Sequence, residues 1–222
     1  MVFLFDVDNT LLDNEAIKVE LRTSMGDLVG LEEALTFWNL YEEVRADLGF
    51  VHLPETLERF AQQYEGLATP RAVSDLIYGF DFAGSIFPGA LEAVEHAREL
   101  GLPVILSDGD QLFQRHKIHS AGLYDVFEGR VLVYAHKERE VADIRSQYPA
   151  DRYVILDDKP RIHASLKEIL GQTVTTILVK QGRYAEEPLQ DEGVSLDLQI
   201  PSIGAFCKVT AEQLRVATSS DS

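Results

Sequence analysis

The sequence predicts an α/β fold: a mostly parallel sheet covered on both faces, with a helical segment inserted after its first strand. Three observations support this. Runs such as Val2-Phe3-Leu4-Phe5 and Leu102-Pro103-Val104-Ile105-Leu106 show no polar alternation, as strands buried on both faces require. From Phe87 onward such runs alternate with segments of helical apolar period, the pattern of parallel strands joined by crossover helices. Between the first run and the second, residues 15–84 hold helix-periodic positions, such as Leu57-x-x-Phe60-Ala61-x-x-Tyr64, and few strand-like runs.

Length and charge bound what such a chain does. Its 222 residues suffice for one substantial core and a small accessory domain. Twenty Lys plus Arg against 37 Asp plus Glu give a formal charge of −17, which repels nucleic acid and anionic lipid. An anionic substrate then needs local positive charge to override that field. A single cysteine, Cys207, excludes an internal disulfide, and no secretory signal or membrane-crossing apolar run is expected. A reducing, cytoplasmic compartment is the expectation, with the oligomeric state open. The Ser- and Asp-rich end, Thr218 to Ser222, is expected to fray.

In chain order, the first strand ends at Asp6, and in open α/β sheets ligands gather at that end of the strands. Continued with period two, Asp6 and Asp8 leave on one side and can share a metal ion; alternatively Asp8, Asn9 and Asp13 only build a turn. A calcium loop is excluded, because it wants a central glycine and a flanking helix. In the inserted segment Phe37, Trp38, Leu40 and Tyr41 cluster at helical spacing, which reads as core rather than as a pocket. Arg22, Arg45, Arg59 and Arg71 are its candidates for a bidentate anion contact. A helix then runs from Phe87-Pro88-Gly89-Ala90 to Gly101, and the strand over 102–106 ends at Ser107-Asp108-Gly109-Asp110. That hydroxyl and the amides opened by Gly109 suit either an anion site or a plain turn.

The spacing next predicts a helix over 111–122 and a strand over 129–134, followed by His136-Lys137-Glu138-Arg139. The strand through Tyr153 to Leu156 ends in Asp157-Asp158-Lys159-Pro160. A helix over 161–170, a strand over 174–179 and a short strand near Leu196 to Ile200 complete the sheet.

These tips resemble the motifs of the haloacid dehalogenase-like (HAD) hydrolase superfamily. The stretch FDVDNTLLDN resembles its D-x-D-x-T motif, Ser107 its second, Lys137 its third, and Asp157-Asp158 its fourth in the D-D form. The resemblance implies a three-layer Rossmann-like core of residues 1–14 and 85–210, a helical cap over 15–84 and a tail over 211–222. It also implies roles. Asp6 becomes the nucleophile that forms an aspartyl-phosphate, and Asp8 the general acid and base. Thr10, Ser107, Asp108 and Gly109 bind the phosphoryl group, and the ammonium of Lys137 offsets its charge. Lys117, inside the preceding helix, and Lys159, after the carboxylate pair, compete for that role, but only Lys137 follows the third strand. Mg²⁺ is held by Asp6, Asp8, Asp158 and Asp157, with Asp8 offering its backbone carbonyl. Ile162 stands where the commoner fourth motif has another acid, so which of Asp157 and Asp158 leads is open. His136 reads as a bystander.

Electrostatics gives a reason for the set to occur together. Carboxylates at neighbouring tips repel by about 4 kcal/mol per close pair at an effective dielectric of about 20, so the cluster needs cations. The expected function is magnesium-dependent hydrolysis of a small phosphorylated metabolite. Hydrolytic dehalogenation of a 2-haloacid is the alternative among enzymes, and it needs neither metal nor an acid at position 8. A catalytically weak binding protein is the other alternative, because fold alone does not secure function.

Overall fold

The computed structural model describes residues 1–187 and 196–216, apart from the side chains of 215 and 216. The residues expected to fray, Thr218 to Ser222, lie outside that range. Among the described residues six strands form one sheet: β1 (Val2–Phe5), β2 (Leu102–Asp108), β3 (Val131–Tyr134), β4 (Tyr153–Asp157), β5 (Val174–Val179) and β6 (Leu198–Ile200). Their order is β3-β2-β1-β4-β5-β6, and every pair is parallel. The "mostly parallel" expectation thus becomes wholly parallel. β2 runs two residues past its apolar stretch, through Ser107 and Asp108.

The apolar runs are continuous because each strand faces packed side chains on both sides. Phe3 and Phe5 point to one face, where Phe206 and Phe127 meet them edge-on at 5.8 and 5.6 Å. Val2 and Leu4 point to the other, with Ile155, Ile162 and Leu166. β1 lies between β2 and β4, with Phe5 opposite Ile105 and Leu156. This register brings the ends of three strands together at Asp6, Ser107 and Asp157.

Between β1 and β2 the chain forms α1 (Asn14–Val29), α2 (Leu31–Leu48), α3 (Leu53–Gln63) and α4 (Thr69–Tyr78). Asp13 starts α1 by accepting the Ala16 N–H at 2.9 Å, and His52 starts α3 by accepting the Glu55 N–H at 3.1 Å. Buried Phe37 and Phe60 pack edge-on at 5.6 Å between α2 and α3. The segment leaves and rejoins the sheet through a paired neck: Leu12 bridges Ile86, Phe87 N–H donates to Leu11 O, and Asp13 N–H donates to Ser85 O.

The remaining helices are α5 (Ala90–Leu100), α6 (Gln111–Ser120), α7 (Leu123–Val126), α8 (Val141–Gln147), α9 (Pro160–Leu170) and α10 (Ala211–Val216). The last corrects the expected tail. Leu214 is buried, and its carbonyl accepts from the hydroxyl of Thr175 on β5 at 3.0 Å, so the chain through α10 belongs to the core.

Gly89, at φ +81°, precedes α5 where the chain crosses the turn at Gly204. A Cβ there would lie 2.6 Å from the Gly204 Cα. Gly89→Ala is expected to cost at least about 1–2 kcal/mol from the left-handed backbone alone. Urea unfolding checks this, and an unchanged midpoint would refute the close packing of these turns.

Candidate active site

The three strand tips converge on one buried ammonium group. Lys137 sits on the turn after β3, is 1% exposed, and places Nζ 2.5 Å from Asp6 Oδ1 and 2.6 Å from Asp157 Oδ2. Its Nζ also donates to Leu106 O at 3.2 Å, and its backbone N–H donates to Asp108 Oδ1 at 3.1 Å. Lys159 approaches from the far side: its Nζ lies 3.5 Å from Asp6 Oδ2, 3.7 Å from Asp108 Oδ2 and 3.8 Å from Asp158 Oδ1. Of the three competing lysines, Lys137 and Lys159 reach Asp6, and Lys137 makes the shorter contact.

The charges explain one another. Burial pushes the Asp6 carboxyl up, but Lys137 and then Lys159 outweigh it and hold the group below the usual carboxylate range. Burial works against charge on Lys137 too, yet Asp157, Asp6 and Asp108 hold its ammonium well above the ordinary lysine value. Asp158 is the group left over. Burial first, then the charges of Asp157 and Asp6, push its carboxyl up to about 8 against the pull of Lys159.

Asp6, Asp157 and Asp158 each offer an oxygen within 4.8 Å of the others. Asp6 Oδ2 and both oxygens of Asp158 are buried and accept no hydrogen bond among the described residues. Lys159 offsets Asp6 Oδ2 only from 3.5 Å and Asp158 Oδ1 only from 3.8 Å, and buried acceptors so thinly compensated, all of them hard oxygens, suit a small divalent cation such as Mg²⁺. Four carboxylates, counting Asp108, face two ammonium groups, and the Arg161 guanidinium near Asp108 is shared with Glu138, so the charge balance also leaves room for a dication.

The side chain of Asp8 does not join this set, which corrects the shared-ligand geometry. β1 ends at Phe5, and the chain turns at once: Val7 O accepts from the Leu11 and Leu12 N–H groups at 2.9 Å, so Asp8 lies inside a turn, ahead of Asn9 at φ +62°, and not on an extended strand. Its carboxylate instead meets Lys117 Nζ at 2.6 Å, with Asn14 Oδ1 3.4 Å from the same ammonium. Lys117 was a competitor for the charge-offsetting role of Lys137, and its partnership with Asp8 was not expected. It projects from α6 beside Gln114 and Ile118, all three buried at i, i+3 and i+4, and two polar residues on a core-facing stripe were the available signal.

The substrate-binding residues divide. Ser107 is buried and accepts from Gln114 Nε2 at 2.8 Å, while Thr10 Oγ1 is buried without a partner. The amides at the β2 tip are largely engaged. Gly109 N–H donates to Tyr134 O at 2.9 Å, and Asp110 accepts from Leu112 N–H and Phe113 N–H at 3.1 and 2.8 Å. Those groups are not open to an anion. Asp108 is spread between the Lys137 N–H and the Lys159 ammonium.

A family model for haloacid dehalogenase-like hydrolases matches residues 1–143. A solved haloacid dehalogenase-like hydrolase of Burkholderia xenovorans LB400 is 38% identical, with 96% of this chain and 97% of that chain covered and a TM-score of 0.88. The chain belongs to the haloacid dehalogenase-like hydrolases. Two more distant structures share the fold. One is an L-2-haloacid dehalogenase of Xanthobacter autotrophicus with chloropropionic acid covalently bound, at 16% identity, 93% and 96% coverage and a TM-score of 0.60. The other is the HAD-hydrolase YfnB of Bacillus subtilis bound to magnesium, at 12% identity, 91% and 94% coverage and a TM-score of 0.61. No curated protein matches the sequence.

In this HAD-like hydrolase a cavity of about 380 Å³ lies between the strand tips and the inserted helices. Asp8, Asn9, Asp108 and Lys159 line it from the sheet, and Phe37, Trp38 and Tyr41 line it from α2. The aromatic cluster is thus both core and wall, since Phe37 and Tyr41 are buried. Of the four arginines, only Arg45 lines the cavity, held by Glu42 and by the Tyr184 hydroxyl at 3.1 Å. Arg22 stacks on the Trp38 ring at 4.7 Å, Arg59 pairs with Asp47 and Glu55, and Arg71 pairs with Asp75 on the surface. His136 lines the mouth beside Phe50. Among the described residues no helix is long and apolar enough to cross a membrane.

Removing Lys137 would leave Asp6 and Asp157 buried without their common partner. Lys137→Met is expected to destabilise the protein by about 3–5 kcal/mol, as for other broken buried pairs. Chemical denaturation at neutral pH measures this, and a loss below about 1 kcal/mol would mean that Lys159 carries the balance alone.

Proposed function

We propose that this HAD-like hydrolase cleaves small phosphate monoesters with a divalent metal, by way of an aspartyl-phosphate on Asp6. The observation that carries this reading is the hard-oxygen set of Asp6, Asp157 and Asp158 with its unpartnered oxygens. A halide leaves without metal or proton, so that set and an acid at position 8 would have no task in a dehalogenase. Asp6 and Asp158 would hold Mg²⁺, with Asp157 oriented beside them by Lys137 and by the Lys159 N–H at 2.8 Å. When bound, the ion adds positive charge next to the phosphoryl oxygens.

The chain's own groups account for the rest. Asp6 is held ionised by Lys137 and Lys159, so an unprotonated carboxylate oxygen is ready to attack phosphorus. As that bond forms, the P–O bond to the alcohol breaks and Asp8 gives its proton to the departing alkoxide. In the second half, Asp8 takes a proton from water, the hydroxide attacks phosphorus, and the Asp6–phosphorus bond breaks to release inorganic phosphate and the free carboxylate. Lys117 positions Asp8 for this from α6. Lys137 stays charged throughout and opposes the charge that develops on the phosphoryl group. The inserted helices serve as a cap that excludes water and meets the alcohol.

Asp8→Asn is expected to lower turnover of alkyl phosphates by about 10² to 10⁴ and to cost much less on an aryl phosphate, whose leaving group needs no proton. Equal losses on both would remove Asp8 from proton transfer. Excess chelator is expected to abolish phosphate release, and added Mg²⁺ to restore it. Chloride release from 2-chloropropionate in excess chelator, with no phosphate ester turned over, would replace this reading by dehalogenation.

A further inference from the structure

One face of α1 lines the cavity: Asn14, Ile17, Lys18 and Leu21 recur at i, i+3, i+4 and i+7. Ile17 and Leu21 are buried, so Lys18 stands where the period calls for an apolar side chain. The other cations of the cavity are committed. Lys117 pairs with Asp8, Lys159 with Asp6 and Asp108, Arg161 with Asp108 and Glu138, and Arg45 with Glu42. Lys18 makes no ion pair or hydrogen bond among the described residues, and its Nζ lies 6.0 Å from the centre of the Tyr41 ring.

Lys18 shares the cavity with a hydrocarbon wall as well as with the polar groups of the strand tips. Ile17, Leu21, Phe37, Leu53, Ile77 and Phe82 all line the cavity and all are buried. Trp38 adds an indole N–H that is buried and has no acceptor among the described residues. Burial pulls the Lys18 ammonium below its ordinary lysine value, with Asp8 and Glu15 pulling the other way. A half-buried ammonium on an apolar wall is unfavourable until something in the cavity pairs with it.

The geometry points to a second anion-recognition point at Lys18: the alcohol of the phosphate ester is a compact apolar or aromatic group that carries a carboxylate. The apolar wall takes the body of the alcohol, Lys18 takes its carboxylate by a charge-assisted hydrogen bond, and the far end is held while the phosphoryl end reaches Asp6. This rests on the phosphohydrolase reading for the reacting end only. The position of Lys18 would equally orient any apolar carboxylate in the cavity.

The test therefore reads binding of the product alcohol, apart from turnover. Calorimetric titration compares 4-(hydroxymethyl)benzoate with benzyl alcohol, in Mg²⁺ and inorganic phosphate so that the phosphoryl site is filled. Trp38 is the only tryptophan, so quenching of its fluorescence places the ligand in this cavity. The intact protein is expected to prefer the carboxylate by about tenfold or more. Lys18→Met and Lys18→Gln should abolish that preference, and Lys18→Arg should keep most of it, with thermal unfolding confirming that each variant is folded. Equal affinity for both probes in the intact protein, or a preference that survives both Lys18→Met and Lys18→Gln, would overturn the assignment. If the preference behaves as expected but no phosphate ester is turned over, the Lys18 point stands and the phosphohydrolase reading falls.

Discussion

The ammonium of Lys137 between Asp6 and Asp157 is the interaction on which the rest of the site depends. A parallel sheet brings the ends of β1, β2 and β4 together, and each end here carries an acid. Without a cation among them, burial and mutual repulsion would force protons onto those acids. Lys137 starts from β3, two strands away from β1, and crosses past the β2 tip, touching Leu106 O on the way. Only a long unbranched side chain spans that distance, and an ammonium can meet several oxygens at once without the fixed plane of a guanidinium. Asp108 anchors the turn by accepting the Lys137 N–H, so the β2 tip sets where the β3 turn delivers its charge.

Labour is divided between the two parts of the chain. The sheet supplies charge: carboxylates, two ammonium groups and the pair of Asp8 with Lys117. The inserted helices supply hydrocarbon, aromatic rings and the two cations Lys18 and Arg45. The turn after β5 joins them. Gln181 donates to Asn9 O and Thr10 O and accepts the Ile203 N–H, while Tyr184 receives Arg45 from α2 and Arg183 from its own turn. Gly182 lies so close to Asn9 that an added Cβ would come within 2.6 Å of its side chain. Against the net charge of −17, an anionic ligand at the strand ends would meet Lys117, Lys137 and Lys159, each already facing carboxylates, so a bound dication would be needed to complete the balance.

What the sequence made legible follows from what is local. Strands buried on both faces read as apolar runs, so β1, β2, β4 and β5 were visible, and a polar residue ending such a run marked Asp6, Ser107 and Asp157. Lys137 was legible because it follows a strand directly. Partnerships across the chain were not. Lys117 and Asp8 are 109 residues apart and meet only because α6 packs beside the first loop. The engagement of the Gly109 amide depends on the β2–β3 ladder continuing to Tyr134, which no local pattern reveals. Lys18 was invisible for the opposite reason: a lysine on a helix is assumed to face solvent, and only the cavity shows that its stripe faces inward.

The paired neck between residues 11–13 and 85–87 also constrains how such a protein can change over evolutionary time. Because the chain departs and returns at one point, held by its own backbone hydrogen bonds, no strand pairing depends on what lies between, which meets the rest of the chain through contacts such as Arg45 with Tyr184 and Leu53 N–H with Asp110. Insertions, deletions or wholesale exchange there alter the chemistry of the cavity wall without altering a single strand register. The acids and lysines at the strand ends keep their places while the wall changes, so variation in the inserted helices falls on the cavity and not on that cluster.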